Sequence, residues 1–142
     1  MALTVAIESE SLELILPDGA ISGYLFSSGA TGYAKSYPDY IKLQLDISVP
    51  ALLGYMKAYV EDNEALVEKL RFWGNLKYEG SDPEYFRLVT LRHTFGDELF
   101  REIKLSHAYV KEYSEIVDIS SRSHVIRLDL FQREDMLRYG EI

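Results

Sequence analysis

Cysteine is absent from the 142 residues of this chain. This absence excludes disulfide bonds, thiolate metal sites and cysteine nucleophiles together, and it fits a cytoplasmic protein. Long apolar runs are absent too, because no window approaches the roughly 20 apolar residues that cross a bilayer. The N-terminus lacks the basic region of a signal peptide, since a short apolar run is followed at once by Glu8 and Glu10. We therefore expect neither membrane insertion nor export by a general signal.

Basic residues are few and scattered. The chain has 15 lysines and arginines against 23 aspartates and glutamates, a formal net charge of -8. Affinity for a phosphate backbone comes mainly from lysine and arginine side chains that release counterions. The composition therefore weighs against nucleic acid as a partner, and we expect no direct sequence-specific binding to it.

What the chain does contain is typical of a globular domain. Its hydrophobic fraction is 47% and its charged fraction 27%, and its length predicts one domain that spans residues 1–142. Eleven tyrosines are the distinctive feature. An amphipathic ring suits half-buried positions and interfaces, but strands favour aromatic residues for their own sake. The tyrosines alone do not decide between these two interpretations.

Alternation of apolar and polar residues predicts a mainly β, or α+β, fold. The alternation is clearest at residues 40–47, where every second residue is isoleucine or leucine. Further strands are predicted at residues 3–7, 12–16 and 21–26. A strand at residues 85–94 is predicted to bury Phe86 and Leu88, with Leu91 as a further candidate.

One helical segment is predicted around residues 50–71. Ser48 can cap its first turn, and Pro50 is tolerated there because its missing donor is not needed. Asp62 and Asn63 interrupt the apolar stripe, and both compete with helix through local side-chain bonds. Two readings stay open: a single kinked helix, or two helices with a new cap at Asp62 or Asn63.

Residues 100–118 and 123–133 form a predicted long hairpin, joined at residues 119–122. In the first arm Ile103 and Leu105 mark the dry face, but the later small and apolar residues are Ala108 and Val110. A phase change of one residue is what a β-bulge produces. The arms exceed the usual strand length of roughly 5–6 residues, so the hairpin could reach past the body of the domain to a neighbour.

Together these elements predict about seven strands with the helix on one face of the sheet. Closing such a sheet into a small barrel or a sandwich would remove its edges. Residues 27–39 are predicted to be a mobile loop. The loop contains Gly29 and Gly32, but it lacks the lysine followed by serine or threonine that completes a phosphate-binding loop.

No residue pattern in the sequence specifies a catalytic or metal-binding site. His107 and His124 could face each other across the hairpin, and with Asp118 or Asp129 they could in principle bind zinc. We favour a pair of hydrogen-bonded surface histidines, because a metal site also needs a third ligand and an oriented second shell. No Gly-x-Ser-x-Gly elbow supports a serine hydrolase. We therefore predict no catalytic, metal or cofactor-binding residues, no cofactor, and a protein that is not an enzyme.

The run FREIKLSHAYVKEYS that begins at Phe100, with a return that ends in LDLF at residues 128–131, resembles a known hairpin. It is similar to the C-terminal hairpin of the Hcp tube proteins of type VI secretion and of related phage tail-tube proteins. That resemblance implies a β-barrel with a helix at its side, and a subunit of hexameric rings that stack into a hollow tube. The helical region is long for that family and the N-terminal strands match no pattern of it, so tube subunit and baseplate or adaptor component both stay open.

The resemblance implies homo-oligomers and other components of a tail-like apparatus as partners. It also implies a cytoplasmic protein that is exported or virion-associated only within an assembly. We expect subunit contacts in the loop at residues 27–39, at the hairpin tip, and at Tyr33, Tyr37, Tyr40, Tyr109, Tyr113, Ile119 and Arg122. The alternatives are a soluble interaction or small-ligand-binding β-domain that uses residues 24–40, and, less favoured, a hydrolase.

Overall fold

The structure is a computed structural model that describes residues 2–29, 40–54, 60–77 and 83–133. Within these ranges the chain forms seven strands and two helices: β1 Ala2–Glu8, β2 Glu13–Leu16, β3 Ile21–Gly29, β4 Tyr40–Ser48, α1 Val49–Gly54, α2 Val60–Gly74, β5 Arg87–Phe95, β6 Glu98–Asp118 and β7 Ser123–Arg133. The predicted mainly β fold of about seven strands with an adjoining helical region is confirmed.

All strand pairs are antiparallel, in the order β2-β1-β5-β6-β7-β4-β3. The sheet folds over itself, because side chains of β3 contact side chains of β6 and β5, which lie three and four places away in the strand order. Tyr24 Oη lies 3.2 Å from His93 Nδ1 of β5, and the Arg101 guanidinium of β6 lies over the Phe26 ring. The sheet is not closed into a barrel, since β2 and β3 remain its edge strands.

The core lies inside this folded sheet and is built by the alternation seen in the sequence. In β4 the residues Ile41, Leu43, Leu45 and Ile47 are all 0% exposed, and the residues between them are partly exposed. Burying one such side chain contributes about 1.5–3 kcal/mol relative to leaving it in water. The predicted strand at residues 40–47 is therefore confirmed as a central one, paired on both sides.

The helices cover one part of this core. Ser48 caps α1 as predicted, since its Oγ accepts a hydrogen bond from the Ala51 N–H at 3.2 Å. Two helices are described, and the residues between them, 55–59, lie outside the described ranges. Asp62 and Asn63 lie within α2, so neither begins a new helix. The buried Trp73 fixes the end of α2, because its indole N–H donates to the Tyr85 carbonyl at 2.9 Å.

The inward face of β5 differs from the sequence prediction. Val89 and Leu91 are fully buried, whereas Leu88 belongs to the opposite phase and Phe86 precedes the strand. The reason is Arg87, which occupies an inward position at 1% exposure. Its guanidinium lies 4.9 Å above the Trp73 ring and its Nε donates to the Glu84 carbonyl. Because this inward position holds a charged residue, the alternation of apolar residues does not show which face of β5 points into the core.

The predicted loop at residues 27–39 begins later than expected. Residues 27–29 continue β3 and pair with residues 40–42 of β4. Residues 27–29 are serine and glycine, so they show no alternation of apolar and polar side chains that would predict a strand. Their strand conformation comes from backbone pairing with β4. The remainder of that prediction, residues 30–39, lies outside the described ranges.

Candidate assembly surfaces along the long strand

Strand β6 is 21 residues long and belongs to both halves of the folded sheet. Its first half pairs with β5 and its second half with β7. The predicted bulge is present: Leu105 pairs with Val89, but Ala108 pairs with Arg87, and Leu105 and Ala108 are both buried. The extra residue at this point bends the strand, so one continuous segment serves both layers.

A buried amide supports the bend. The side chain of Gln132 on β7 is 0% exposed, and its Oε1 accepts a hydrogen bond from the His107 N–H at 2.8 Å. The bulge interrupts the regular ladder at this N–H, so the side chain takes the place of a strand carbonyl. Gln132 therefore stabilises the point where β6 turns from one layer to the other.

Exposed aliphatic side chains lie at the hairpin tip, residues 119–122, and on the end of β6 directly before it. Ile119 is 88% exposed, Val117 61% and Ile116 44%. The turn is closed by a hydrogen bond from the Arg122 N–H to the Ile119 carbonyl. Arg122 has a φ of 55°, in the left-handed region that residues other than glycine rarely occupy. The tip thus presents the aliphatic side chain of Ile119 and the guanidinium of Arg122 on a constrained backbone.

The Asp118 carboxylate organises the start of the turn. It accepts hydrogen bonds from the N–H and the hydroxyl of Ser120, at 3.0 and 2.7 Å, and a longer one from the Ser121 N–H. The Ser120 hydroxyl, followed by the donors of Ser121, lowers the pKa of Asp118. Ser120 and Ser121 therefore hold the turn through this carboxylate, as local polar side chains do in turns.

A cluster of polar side chains, which we call the Glu115 cluster, ties the hairpin to α2. Arg71 of α2 binds Glu115 through two nitrogens, at 3.0 and 3.2 Å, and Tyr113 Oη donates to the same carboxylate at 2.8 Å. His124 Nε2 lies 2.7 Å from Glu115 Oε1. The hydrogen bonds from Arg71 are the main reason that the pKa of Glu115 falls to about 2. Glu115 is therefore an ionised anchor at ordinary pH.

The Tyr113 ring fills the space between β6 and the end of α2. A methyl group at Gly74 would lie 2.1 Å from Cδ2 of that ring, so only glycine allows the helix end to approach this closely. Burial raises the pKa of the Tyr113 phenol, and its hydrogen bond to Glu115 raises it further. Tyr113 is therefore neutral and can donate that bond at ordinary pH.

An open groove of about 530 Å³ lies beside the Glu115 cluster. Its walls combine apolar side chains from both helices with ionisable ones, namely Val49, Leu53, Glu64, Ala65, Val67, Glu68, Arg71 and His124. Arg71 already binds Glu68 at 2.7 Å as well as Glu115. The cation of the groove is thus engaged within the chain.

The opposite end of β6 carries aromatic rings, which we call the aromatic end. Phe95 and Phe100 are 52% and 62% exposed, and their ring centroids lie 5.1 Å apart. His93 contacts both rings, with centroids at 5.6 and 5.1 Å. A second irregularity explains this grouping: His93 pairs with Arg101 but Thr94 pairs with Leu99, which leaves Phe100 as the additional residue of a bulge. Bulges re-aim side chains in this way.

The two histidines of the hairpin do not face each other. His124 pairs with Val117 near the tip, whereas the residues at the base of the hairpin pair as Tyr109 with Phe131. His107 Nδ1 lies 2.9 Å from the Ser106 hydroxyl instead. Among the described residues, no three His, Asp or Glu side chains converge where they could hold a metal ion. The described helices include none with the length and apolarity that a membrane span requires.

The residues predicted at subunit contacts fall into separate places. Tyr33 and Tyr37 lie outside the described ranges. Tyr40 stacks on Phe131 with centroids 5.5 Å apart, and Tyr109 stacks on Tyr85 at 5.7 Å. Tyr113 belongs to the Glu115 cluster, and the hairpin tip contains Ile119 and Arg122.

Three further residues were not singled out from the sequence. Glu115 and Phe100 show no local signal, since one depends on α2 and the other on a bulge. Phe95 is the last residue of β5, directly before a turn at Gly96, where the backbone has a φ of 59°. The exposure of the Phe95 ring becomes visible only in the structure.

Comparison with known proteins gives similarities in structure alone. No model of a known protein family matches the chain, and no curated protein sequence matches it. Hcp1 from Flavobacterium johnsoniae is 11% identical with a TM-score of 0.47, over 90% of this chain and 92% of that one. A chain of the anti-feeding prophage baseplate, from a six-fold symmetrised cryo-EM structure, is 12% identical with a TM-score of 0.49, over 94% and 93%. Hcp1 from Salmonella typhimurium is 10% identical with a TM-score of 0.43, over 92% and 81%.

Two of these three structures are Hcp1 proteins. At identities of 10–12% and TM-scores of 0.43–0.49, these similarities carry no conclusion about the role of this chain. The side chains of this protein therefore carry the functional proposal.

Proposed function

We propose that this chain is a structural subunit of a phage-tail-like or type VI secretion-like contractile injection apparatus, and that it assembles into rings or tubes. The exposed aliphatic side chains at the hairpin tip and on the strand end beside it carry the proposal. Three aliphatic residues close to one another in sequence, Ile116, Val117 and Ile119, are 44–88% exposed. A soluble monomer gains nothing from such a projection, whereas a contact between subunits would bury it.

The hairpin is built as a rigid projection. Arg71, Tyr113 and His124 all converge on Glu115, so the second half of β6 is fastened to α2. A projection that is held in place loses little conformational freedom when it binds, which lowers the entropic cost of association. The Glu115 cluster therefore serves assembly indirectly, by fixing the direction in which the tip points.

Strand β6 also offers a backbone edge. Residues 110–118 pair with β7 along one edge and with no strand of the described residues along the other. An open edge is a template for a strand of another chain. In the proposed assembly a neighbouring copy covers this edge. The further contacts that we propose are Tyr33, Tyr37, Tyr40 and Tyr109, with Ile119 and Arg122 at the tip.

Substitution of the tip tests the proposal. Ile119→Asp places a charge on the most exposed aliphatic side chain, and we expect it to reduce the assembled fraction at least about tenfold, because desolvating an unpaired carboxylate costs several kcal/mol. Light scattering at matched concentrations measures the assembled fraction, and circular dichroism checks that the monomer folds. Ile15→Asp is the matched control, since Ile15 is 56% exposed on β2. Equal assembly by both variants and the unaltered protein would contradict a role for the tip.

A further inference from the structure

We infer that the hairpin tip of one copy docks on the aromatic end of the next copy, head to tail. The inference rests on the proposed function and names the two surfaces that meet. The first surface consists of Ile119 and Arg122, and the second consists of Phe95, Phe100 and Glu98. The partner is therefore a second copy of this chain.

The two surfaces lie at opposite ends of one strand. Strand β6 begins at Glu98 and ends at Asp118, and its 21 residues would span up to about 65 Å if they were straight. The turn before β6 carries the aromatic end, and the turn after β6 carries the tip. Two different surfaces of the same chain that bind each other form a heterologous contact, which repeats from copy to copy and generates rings or filaments.

The aromatic end is a preformed receptor for aliphatic side chains. The Tyr24 hydroxyl at His93 Nδ1 fixes the imidazole, and the imidazole in turn contacts Phe95 and Phe100. The two phenyl rings meet nearly edge to face, with an interplanar angle of 85°. Their exposed sides form an apolar surface that does not have to rearrange before Ile119 binds, so the cost of ordering it is already met in the free chain.

The aromatic end also contains a buried polar atom, the Nε2 of His93. His93 Nε2 is buried and has no hydrogen-bond partner among the described residues. Leaving such an atom unsatisfied costs free energy, and natural proteins retain such costs mainly where function requires a particular arrangement. The cost at His93 is thus associated with the arrangement that exposes Phe95 and Phe100.

The charges of the two surfaces are complementary. Arg122 is the cation of the tip, and the exposed Asp97 and Glu98 lie beside the aromatic rings. Glu98 pairs with Phe95 across the β5–β6 turn, so its carboxylate lies on the side of the strand pair that carries that ring. Neither Arg122 nor Glu98 has an ion-pair partner among the described residues. An arginine can bind a carboxylate and lie against an aromatic face at once.

The backbone of Arg122 points to a use for its side chain. Its φ of 55° is one that glycine adopts without steric cost and that other L-residues adopt only at a cost. Nothing within the described chain needs the guanidinium at this position. A side chain retained where glycine would be less strained is consistent with a contact outside the subunit.

Exchange of charge between the two surfaces tests the inference. Arg122→Glu places two acidic groups opposite each other, and Glu98→Arg places two basic groups opposite each other. We expect each variant alone to assemble at a concentration at least about tenfold higher than the unaltered protein, because like charges across an interface are strongly unfavourable. A mixture of the two variants restores both opposite-charge contacts, so we expect assembly to return in the mixture and in the double variant.

Glu10→Arg provides the control for Glu98→Arg, since it makes the same change in net charge at an exposed position between β1 and β2. It is expected to assemble like the unaltered protein. The inference is wrong if the unaltered protein assembles and neither charge reversal raises the concentration needed for assembly. It is also wrong if both reversals prevent assembly and the mixture does not restore it. In either case the aromatic end is not the surface that binds the tip. In that case the proposed function stands. If the unaltered protein forms no assembly at any concentration, the proposed function and the inference both fail.

Discussion

Gly74 at the end of α2 lies directly against the ring of Tyr113 on β6, so that a methyl group at Gly74 would come within 2.1 Å of Cδ2. The contact joins the helical region to the projecting hairpin, just where the Glu115 cluster begins. Close approach of backbone to an aromatic ring is possible here because glycine has no Cβ. The hairpin is therefore positioned by shape as well as by charge.

Gly74→Ala should destabilise the fold by about 1–3 kcal/mol, because the added methyl group must displace a half-buried ring. Without this contact the same change at the end of a helix would be neutral or favourable. Urea denaturation measures the difference. Gly23→Ala is the matched control, since nothing lies within 4 Å of a methyl group at Gly23. Equal stability of the two variants would mean that the Tyr113 ring moves aside freely.

Stability should depend on Glu115 in an acidic window. The pKa of Glu115 is about 2 in the folded protein, below its ordinary value of 4.5, so its stabilisation is complete above pH 4.5 and is lost as the pH falls toward 2. The advantage of the unaltered protein over Glu115→Gln should therefore shrink by about 1–2 kcal/mol across that window, after allowance for solvent screening of a partly exposed ion pair.

Denaturation curves measured at several pH values between 6 and 2 test this expectation. Glu112→Gln removes an exposed carboxylate from the same strand and serves as the control. A constant difference between the unaltered protein and Glu115→Gln at every pH would contradict the depressed pKa, and would assign Glu115 a role in packing alone.

Gln132→Leu should weaken the bend in β6. The substitution keeps the approximate volume of a fully buried side chain but removes the acceptor that lies 2.8 Å from the His107 N–H. A hydrogen-bond donor left without its partner costs about 1–3 kcal/mol. Amide hydrogen exchange at His107 should accelerate more than exchange in the distant β1. Unchanged protection at His107 would show that the bulge holds itself without the amide.

Arg122→Gly should raise the free energy of unfolding by up to about 1–2 kcal/mol, because it removes the steric cost of a left-handed backbone. The gain is partly offset by the greater freedom of glycine in the unfolded chain. Arg122→Ala keeps the Cβ and is expected to give no such gain. Thermal unfolding of both variants decides the point. A lower midpoint for Arg122→Gly would show that the arginine side chain stabilises the isolated subunit.

Much of this fold follows from periodicity in the sequence. The alternation of Ile41, Leu43, Leu45 and Ile47 suffices to place β4 in the core, and the phase change after Leu105 suffices to locate a bulge. Both signals are local, since they depend on the faces of a single strand. Local patterns fail where a charged residue occupies a core position, as Arg87 does against the Trp73 ring.

The Glu115 cluster and the aromatic end could not be predicted from the sequence, because each depends on contacts between residues that are distant in the chain or on the position of a bulge. Glu115 becomes an anchor only because Arg71, which lies 44 residues away in the chain, reaches it from α2. Phe100 joins His93 and Phe95 only because a bulge turns it to their side. The tip is the exception, because its exposure follows from the length of the hairpin predicted at residues 100–118 and 123–133.

The solution mass of the unaltered protein tests the central claim most directly. Light scattering across a concentration series, with negative-stain imaging of any large species, should show a rise in mass with concentration and rings or short tubes in the images. A mass of 16.3 kDa at every concentration, with no ordered particles in the images, would contradict self-assembly through the hairpin tip.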